Sequence, residues 1–306
     1  MQHYTPYVKE FMARYNYPAE AVTLFTEVER RLDGEPASGA EFDRHLNAYM
    51  IEKAEPLGEA LDAMTALAEK MALSPYTLHF VFVLNCTELL KPRYAAAGVD
   101  EAIFWAGCDD LRCKLLECME CKGVPGTFVA GWNHGFLDFD RFAYGRFQYE
   151  VREFGFDFDF MTSCGKLIRK GDTFVNFHIP SSGVPLTDDV RLASYREAYR
   201  HVKQLFPDGL AVFGCGSWLL YPRHREFLPP TSNILKFLGD FEIVSWEEKE
   251  TFGDAWRVFG RYADLPPAQL PRDTSLRRAF ADWLAAGNKT GSGFGFIIFD
   301  GEKIVR

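Results

Sequence analysis

The sequence predicts an α+β protein, with an all-helical N-terminal domain over residues 1–125 followed by a mixed-sheet α/β domain over residues 126–306. Two observations predict it. Apolar residues recur at spacings of three and four through most of the first 122 residues, as they do in amphipathic helices. After GVPGTF (123–128) the chain changes to short alternating or fully apolar runs that are typical of strands.

The first half contains five predicted helices. Pro18 opens the first, which ends at Asp33 and Gly34, and Ser38 with Glu41 predicts a capping box at the start of the second. Three further helical patterns cover residues 57–71, 75–90 and 100–122. Five helices without a strand indicate a helical domain.

The second half contains predicted strands at RFQYEVREF (146–154), KLIRKGDTFVNFHI (166–179, two strands around a turn), LAVFGCGSWLLY (210–221), FEIVSWEE (241–248), AWRVFGRY (255–262) and GSGFGFIIF (291–299). Between them, a helix beginning near Thr187 carries an apolar stripe suited to packing on a sheet. DTSLRRAFADWLAAG (273–287) is a second, capped helix. Strands interspersed with helices predict a mixed sheet.

Composition and charge exclude some functions. The net charge is −9 and no cluster of Lys and Arg stands out, which argues against a nucleic-acid partner. The first residues lack the apolar core of a signal peptide and no apolar run reaches about 18 residues, so we expect a cytoplasmic protein with no membrane partner. The seven cysteines fit that location, and the sequence leaves the oligomeric state open.

The junction HIPSSGVPLTDD (178–189) is the first candidate site. An apolar strand ends at a proline, passes Ser181, Ser182 and Gly183, and restarts as a helix capped by Thr187. Small residues before a helix N-terminus can present backbone N–H groups to phosphates. The same residues also make an ordinary turn and N-cap, and the aspartates at 188 and 189 would oppose an anion.

Two side chains are candidates for acid–base chemistry. His178 lies at a strand end, where a general base is one interpretation and a hydrogen-bonded structural histidine is another. CGS (215–217) offers a thiol and the Ser217 hydroxyl in a strand interrupted by two glycines. Those glycines indicate a bulge, close ligand approach or tight helix packing, and the context does not match a nucleophile elbow.

Other polar clusters have simpler explanations. Cys108, Cys113, Cys118 and Cys121 are spread around one helix, and no second Cys-x-x-Cys accompanies the last two, so no metal is expected even with His134 nearby. The acidic and aromatic runs at 136–147 and 154–160 could supply carboxylates for acid–base work, or alternate as edge strands.

Several blocks in the second half resemble one family. They are GRFQYE (145–150), FHIPSSGVPLT (177–187), CGSWLLYP (215–222), FLPPTSNILKFLGDFEIV (227–244) and LPRDTSLRRAFADWLAAG (270–287). In this order they resemble bacterial acyltransferase-domain proteins, which have a helical N-acyltransferase N-terminal domain and a GNAT-like C-terminal domain. The resemblance covers about residues 140–290, and the first half agrees with it in its helical character.

The resemblance implies an acyl-CoA-dependent N-acyltransferase that uses acetyl-CoA or another acyl-CoA and acylates the amine of a small molecule or peptide. It implies that 174–179 and 210–220 are strands that part around the acyl-CoA, with Ser181, Ser182, Gly183 and Thr187 at the pyrophosphate. His178 would accept the amine proton, and backbone N–H groups near Ser217 would polarise the thioester carbonyl, or Ser217 would protonate the departing thiolate.

One departure from the GNAT pattern leaves a second function open. The usual pyrophosphate signature, Arg or Gln followed after two residues by Gly-x-Gly or Gly-x-Ala, is absent from this loop. The alternative is therefore a non-catalytic, GNAT-shaped protein that binds a metabolite or peptide. A third interpretation makes the aromatic N-terminal helices a protein-contact surface.

Overall fold

The computed structural model describes residues 2–306, which divide into two compact units, residues 2–142 and residues 143–306. The division into domains 1–125 and 126–306 stays a prediction. Each unit has its own hydrophobic core. The predicted fold class, helices first and a mixed sheet second, is confirmed.

The first unit is helical. Its helices are α1 Pro6–Arg14, α2 Ala19–Gly34, α3 Pro36–Asn47, α4 Leu57–Lys70, α5 Pro75–Ala96, α6 Glu101–Lys122 and the short α7 His134–Leu137, with a π-helical turn at Ala48–Glu52. Helix α5 is central because it is apolar around most of its circumference and buried along most of its length. Helix α1 was missing from the sequence prediction, although Thr5 caps it by accepting the N–H of Val8.

The predicted capping box in α3 is wrong. The helix begins at Pro36, whose fixed φ suits the first helical position. Ser38 is therefore already inside the first turn, and its hydroxyl donates to the carboxylate of Glu35 at 3.2 Å. The N-cap is Glu35, three residues earlier than predicted, which displaces the start of the helix but not its buried face.

The second unit holds the sheet. The strands are β1 Arg141–Tyr144, β2 Phe147–Glu153, β3 Phe160–Met161, β4 Leu167–Ile168, β5 Thr173–His178, β6 Ala211–Ser217, β7 Glu242–Lys249, β8 Thr290–Phe299 and β9 Ile304–Val305. Its helices are α8 Asp188–Val202, α9 Asn233–Gly239, α10 Ala255–Phe259 and α11 Ser275–Ala285. The main sheet has the order β1-β2-β5-β6-β8-β7, with β9 on β8, and β3 and β4 form a separate hairpin.

The strand predicted at 255–262 is wrong. This segment forms α10 and a following 3₁₀ turn, and it packs in a small core with α11. Ala255, Val258 and Phe259 are spaced by three and four residues, so the helix directs them to one side. The short run of alternating bulky residues had suggested a strand.

The two faces of the main sheet differ. Helix α8 covers one face, where the ring of Tyr195 lies 5.7 Å from Phe147 and 6.1 Å from Phe213. On the other face the ring of Phe174 lies 5.4 Å from Phe296. Because side chains alternate along a strand, these contacts fix the face of every neighbouring position on β2, β5 and β6.

Candidate functional site

The sheet opens between its two parallel central strands. The β5–β6 ladder holds only two residue pairs, Val175 with Phe213 and Asn176 with Gly214. Strand β5 continues to His178 along β2, and β6 continues to Ser217 along β8. The two strands therefore part beyond the Asn176–Gly214 pair, at the place where the resemblance implied a gap.

The alternation of side chains places the two predicted catalytic residues on opposite faces of this gap. His178 follows Asn176 by two residues and lies on the face away from α8, as does Gly216. Ser217 follows Phe213 by four residues and lies on the face of α8. The Ser217 hydroxyl accepts the backbone N–H of Leu219 at 3.1 Å, which caps a short 3₁₀ turn.

His178 belongs to a polar cluster built across β2 and β5. Its Nε2 lies 2.8 Å from Oε1 of Glu150, a side chain that is only 5% exposed. The Asn176 amide donates to the same oxygen at 3.3 Å. The other carboxylate oxygen accepts from the Arg152 guanidinium at 2.9 Å. The histidine ring is thus held against a buried carboxylate.

Gln148 extends this cluster. It pairs with His178 in the antiparallel β2–β5 register and is 3% exposed. Within residues 2–306, its buried Oε1 has no hydrogen-bond partner. A buried amide oxygen without a donor costs free energy, so it indicates a place where a ligand or water N–H or O–H group is received.

The loop after β5 is held by two arginines. Arg146 donates to the backbone carbonyls of Pro180 at 2.7 Å and Val184 at 3.1 Å. Gly183, between them, has φ +76°, a conformation that favours glycine. Ser181 is exposed, and the Ser182 hydroxyl accepts the N–H of Val184 at 3.4 Å. The three residues form a bend at the solvent surface.

The second arginine anchors the end of the loop to the body of the domain. Arg191 is buried, donates to the carbonyl of Leu186 at 2.6 Å and forms two hydrogen bonds with Asp240, at 2.7 and 3.1 Å. Burial alone would lower the pKa of Arg191, but the hydrogen bonds and charge of Asp240 raise it above the usual value. Arg191 also pairs with Asp188 at 3.1 Å.

Thr187 occupies the N-cap position of α8 with extended backbone, but its side chain makes no hydrogen bond to the backbone of the helix. The nearby Thr187 hydroxyl and the backbone N–H groups of Val190 and Asp189 stabilise the carboxylate of Asp189 and lower its pKa. An exposed carboxylate therefore already uses the positive end of this helix.

An open apolar surface lies at Gly216, on the same face of the sheet as His178. A Cβ atom added to Gly216 would meet its first neighbour, the ring of Phe294, at 3.6 Å, which is ordinary contact distance. At Gly214, by contrast, the ring of Phe174 would lie at 2.5 Å. Phe156 packs on Phe294 at 5.6 Å, and Phe158, beside Phe156, is 46% exposed. These three rings and Gly216 form what we call the aromatic surface.

The cysteines do not form a reactive or metal site. Cys215 is buried, which raises the pKa of its thiol well above the usual value, so the thiolate nucleophile is disfavoured. Cys86, Cys108, Cys113 and Cys118 are likewise buried. Within residues 2–306, no group of three or more His, Cys, Asp or Glu side chains is arranged to hold a metal ion.

The sheet is mixed, and its two central parallel strands part. A loop of small residues and a helix follow the first of these strands. This arrangement defines the class of GNAT-like acyltransferase folds. Comparison with protein families agrees. The family of GNAT-like C-terminal domains matches residues 142–297, and the N-acyltransferase N-terminal domain matches residues 6–138. The chain therefore belongs to the family with a GNAT-like C-terminal domain, preceded here by an N-acyltransferase N-terminal domain.

Solved structures with the same fold are acyltransferases. One, in complex with decanoyl-CoA and teicoplanin, is 21% identical with a TM-score of 0.72, covering 95% of this chain and 87% of that chain. An acyltransferase mutant with octanoyl-CoA is 19% identical, with a TM-score of 0.73 and the same coverage. An acyltransferase with CoA and 10C-teicoplanin is 19% identical, TM-score 0.72, covering 97% and 89%. No curated protein matches the chain.

Proposed function

We propose that this protein is an acyl-CoA-dependent N-acyltransferase that transfers an acyl group to the amine of a small molecule or peptide. The observation that carries the proposal is the two-pair β5–β6 ladder with a carboxylate-bound histidine at the gap. A gap between parallel strands admits an extended pantetheine arm, and His178 supplies a base where the thioester would emerge. Structural neighbours that bind CoA, decanoyl-CoA and octanoyl-CoA support acyl-CoA as the co-substrate.

The proposed chemistry uses both faces of the gap. The amine approaches on the face of His178 and attacks the thioester carbonyl carbon, so that a C–N bond forms and the C–S bond breaks. His178 takes the amine proton, and backbone N–H groups of β6 near Ser217 polarise the carbonyl. The Ser217 hydroxyl accepts from Leu219 and keeps its own proton, which it can give to the departing thiolate on the other face while it takes a proton from solvent.

We propose an acyl chain longer than acetyl. Gly216 leaves room at the gap, and Phe156, Phe158 and Phe294 supply apolar area next to it. Each methylene buried there would contribute about 0.8 kcal/mol to binding. The decanoyl and octanoyl groups carried by the neighbours' ligands favour the same chain length.

The phosphates of CoA are proposed to contact the loop at Ser181, Ser182 and Gly183 and the start of α8 at Thr187. Arg146 and Arg191 hold this loop in one conformation, which favours binding because little ordering is then required. The carboxylate of Asp189 opposes an anion there. This opposition, with the absent GNAT signature, is the observation that favours the alternative of a non-catalytic binding protein.

We also propose the chemical class of the acyl acceptor and the cellular location. Structural neighbours that bind teicoplanin support a peptide or small-molecule amine as the acceptor. Among the helices of residues 2–306, none combines the length and apolar character needed to cross a membrane. The cytoplasmic location stays a prediction.

Calorimetric titration of CoA, acetyl-CoA and decanoyl-CoA tests the binding half of the proposal. Gly183→Asp should abolish micromolar binding, because it adds strain and negative charge at the loop. Gly165→Asp is the matched control, since Gly165 also has positive φ and nothing within 4 Å of an added Cβ, but lies in the β3–β4 hairpin. Equal losses in both variants, or no binding by the parent, would contradict the proposed CoA site.

His178→Gln tests the catalytic half. We expect turnover of an amine substrate to fall by about 100-fold or more, because general-base catalysis contributes on that order, while the Kd for acyl-CoA stays within about two-fold. A variant with unchanged turnover would remove His178 from the mechanism. Tight CoA binding without turnover of any amine in a broad panel would favour the non-catalytic alternative.

A further inference from the structure

We propose that Glu150 is a positioning residue that fixes the tautomer and basicity of His178; this inference rests on the proposed function. Glu150 is not exposed enough to meet the substrate itself, being 5% exposed at its side chain. It contacts His178 at 2.8 Å through one oxygen and Arg152 at 2.9 Å through the other. Its action on the reaction would therefore pass through the imidazole ring.

The contact determines where the ring carries its proton. A carboxylate beside a guanidinium is ionised and can only accept hydrogen bonds. Nε2 of His178 must therefore donate to Glu150, which leaves the lone pair of the neutral ring on Nδ1. The Asn176 amide nitrogen lies 3.2 Å from Nε2 and 3.3 Å from the same carboxylate oxygen, and since it can only donate, it donates to the carboxylate. Nδ1 is then the atom that takes the proton of the amine.

The same carboxylate adjusts the strength of the base. A negative charge in hydrogen-bond contact stabilises the imidazolium and raises the basicity of the ring, whereas the cation of Arg152 behind it acts in the opposite sense. Asn176, on the same strand, is uncharged, and β6 presents Gly214 and Gly216 on the same face. A further cation, the Arg146 guanidinium before β2, bonds the carbonyl of Pro180, two residues after His178. Glu150 and Arg152 are the two charges within β2 whose removal tests this effect on His178.

Two charge-removing variants should move the reaction in opposite directions. In Glu150→Gln we expect the rising limb of the pH profile of kcat/KM to move about one unit or more to lower pH, with kcat lower by about 10-fold. In Arg152→Gln the limb should move to higher pH, because a cation near the imidazolium is gone. Arg152 is 42% exposed at its side chain, so this variant should fold even if the buried change at Glu150 does not.

A measurement without turnover separates this inference from the proposed function. Long-range ¹H–¹⁵N NMR of the histidine rings, with His178→Gln used to assign the His178 signals, should report the Nε2–H tautomer in the parent. The pH titration of the His178 ring should move to lower pH in Glu150→Gln and to higher pH in Arg152→Gln. The Nδ1–H tautomer, or an unchanged titration in both variants, would overturn the positioning role, whether or not the protein turns over an amine. Absent CoA binding would overturn only the proposed function.

Discussion

Asn176 and Gly214 form the last residue pair between β5 and β6, and two residues beyond them lie His178 and Gly216 on one face of the parted sheet. The end of this ladder therefore sets the spacing between His178, the candidate base, and Gly216. Of the two β6 glycines on that face, Gly216 is the one with room for a Cβ atom.

Gly216→Val should reduce binding of decanoyl-CoA by about 10-fold or more and leave free CoA within about two-fold. The added methyl groups would occupy the volume beside Phe294 that two or three acyl methylenes need. Gly216→Ala is the control, because its single Cβ fits at 3.6 Å. The Kd values of decanoyl-CoA and free CoA, measured by calorimetry for the parent and both variants, test this prediction. Equal weakening of both would indicate general damage, and no weakening would place the acyl chain elsewhere.

Asp189→Asn should tighten CoA binding by about 3- to 10-fold at low salt, and by less at high salt, because a like charge is removed from the start of α8. Glu302→Gln is the matched control: it also removes one exposed carboxylate, beside Arg196 further along the same helix. Titrations at two salt concentrations give the comparison. An identical Kd for the parent and both variants would mean that the phosphates do not approach Thr187.

Gln148→Met should raise the KM for the amine while the protein becomes more stable by about 1 kcal/mol. The variant removes a buried oxygen that lacks a donor in the described chain, and methionine has a similar shape. A purely structural glutamine would give the stability change alone. Steady-state kinetics with varied amine, together with denaturant unfolding, separate the two. A lower stability would show that the oxygen has a partner such as an ordered water.

The fold was largely predictable because its signals are local. Helical spacing and strand alternation identified α2 to α6 and the main strands, and ordered sequence blocks indicated the parted sheet. The errors were local too: the segment at 255–262 is too short for its period to be read reliably, and Pro36, two residues before Ser38, opens α3.

The site was less predictable because it depends on register. His178 and Ser217 were found as polar residues at strand ends, but the sequence gives no signal that they lie on opposite faces. Gln148 and Glu150 were missed although both are in the block GRFQYE. Their alternation with apolar residues suggests a solvent face, and only pairing of β2 with β5 shows that both are buried beside His178. Cross-strand register is a long-range property that local patterns do not encode.

His224 provides a test of stability outside the proposed site. Its ring is fully buried among Trp218, Tyr221, Phe227 and Phe280, at centroid distances of 5.5 to 5.9 Å. Burial lowers the pKa of His224 to about 4. The unfolded chain would bind a proton at an ordinary pKa of about 6.5, so acid favours unfolding.

The free energy of unfolding should therefore fall by about 2 kcal/mol from this residue alone as the pH drops from about 7.5, above the unfolded pKa, to about 5, between the two pKa values. His224→Leu should remove that part of the pH dependence, even if its stability at neutral pH changes, because an apolar side chain of similar volume cannot titrate. Denaturant unfolding of both proteins at several pH values measures it. His134→Leu, at an exposed histidine, is the control and should leave the pH dependence of the unfolding free energy as it is in the parent. Parallel pH profiles for the parent and His224→Leu would mean that the buried ring does not stay neutral.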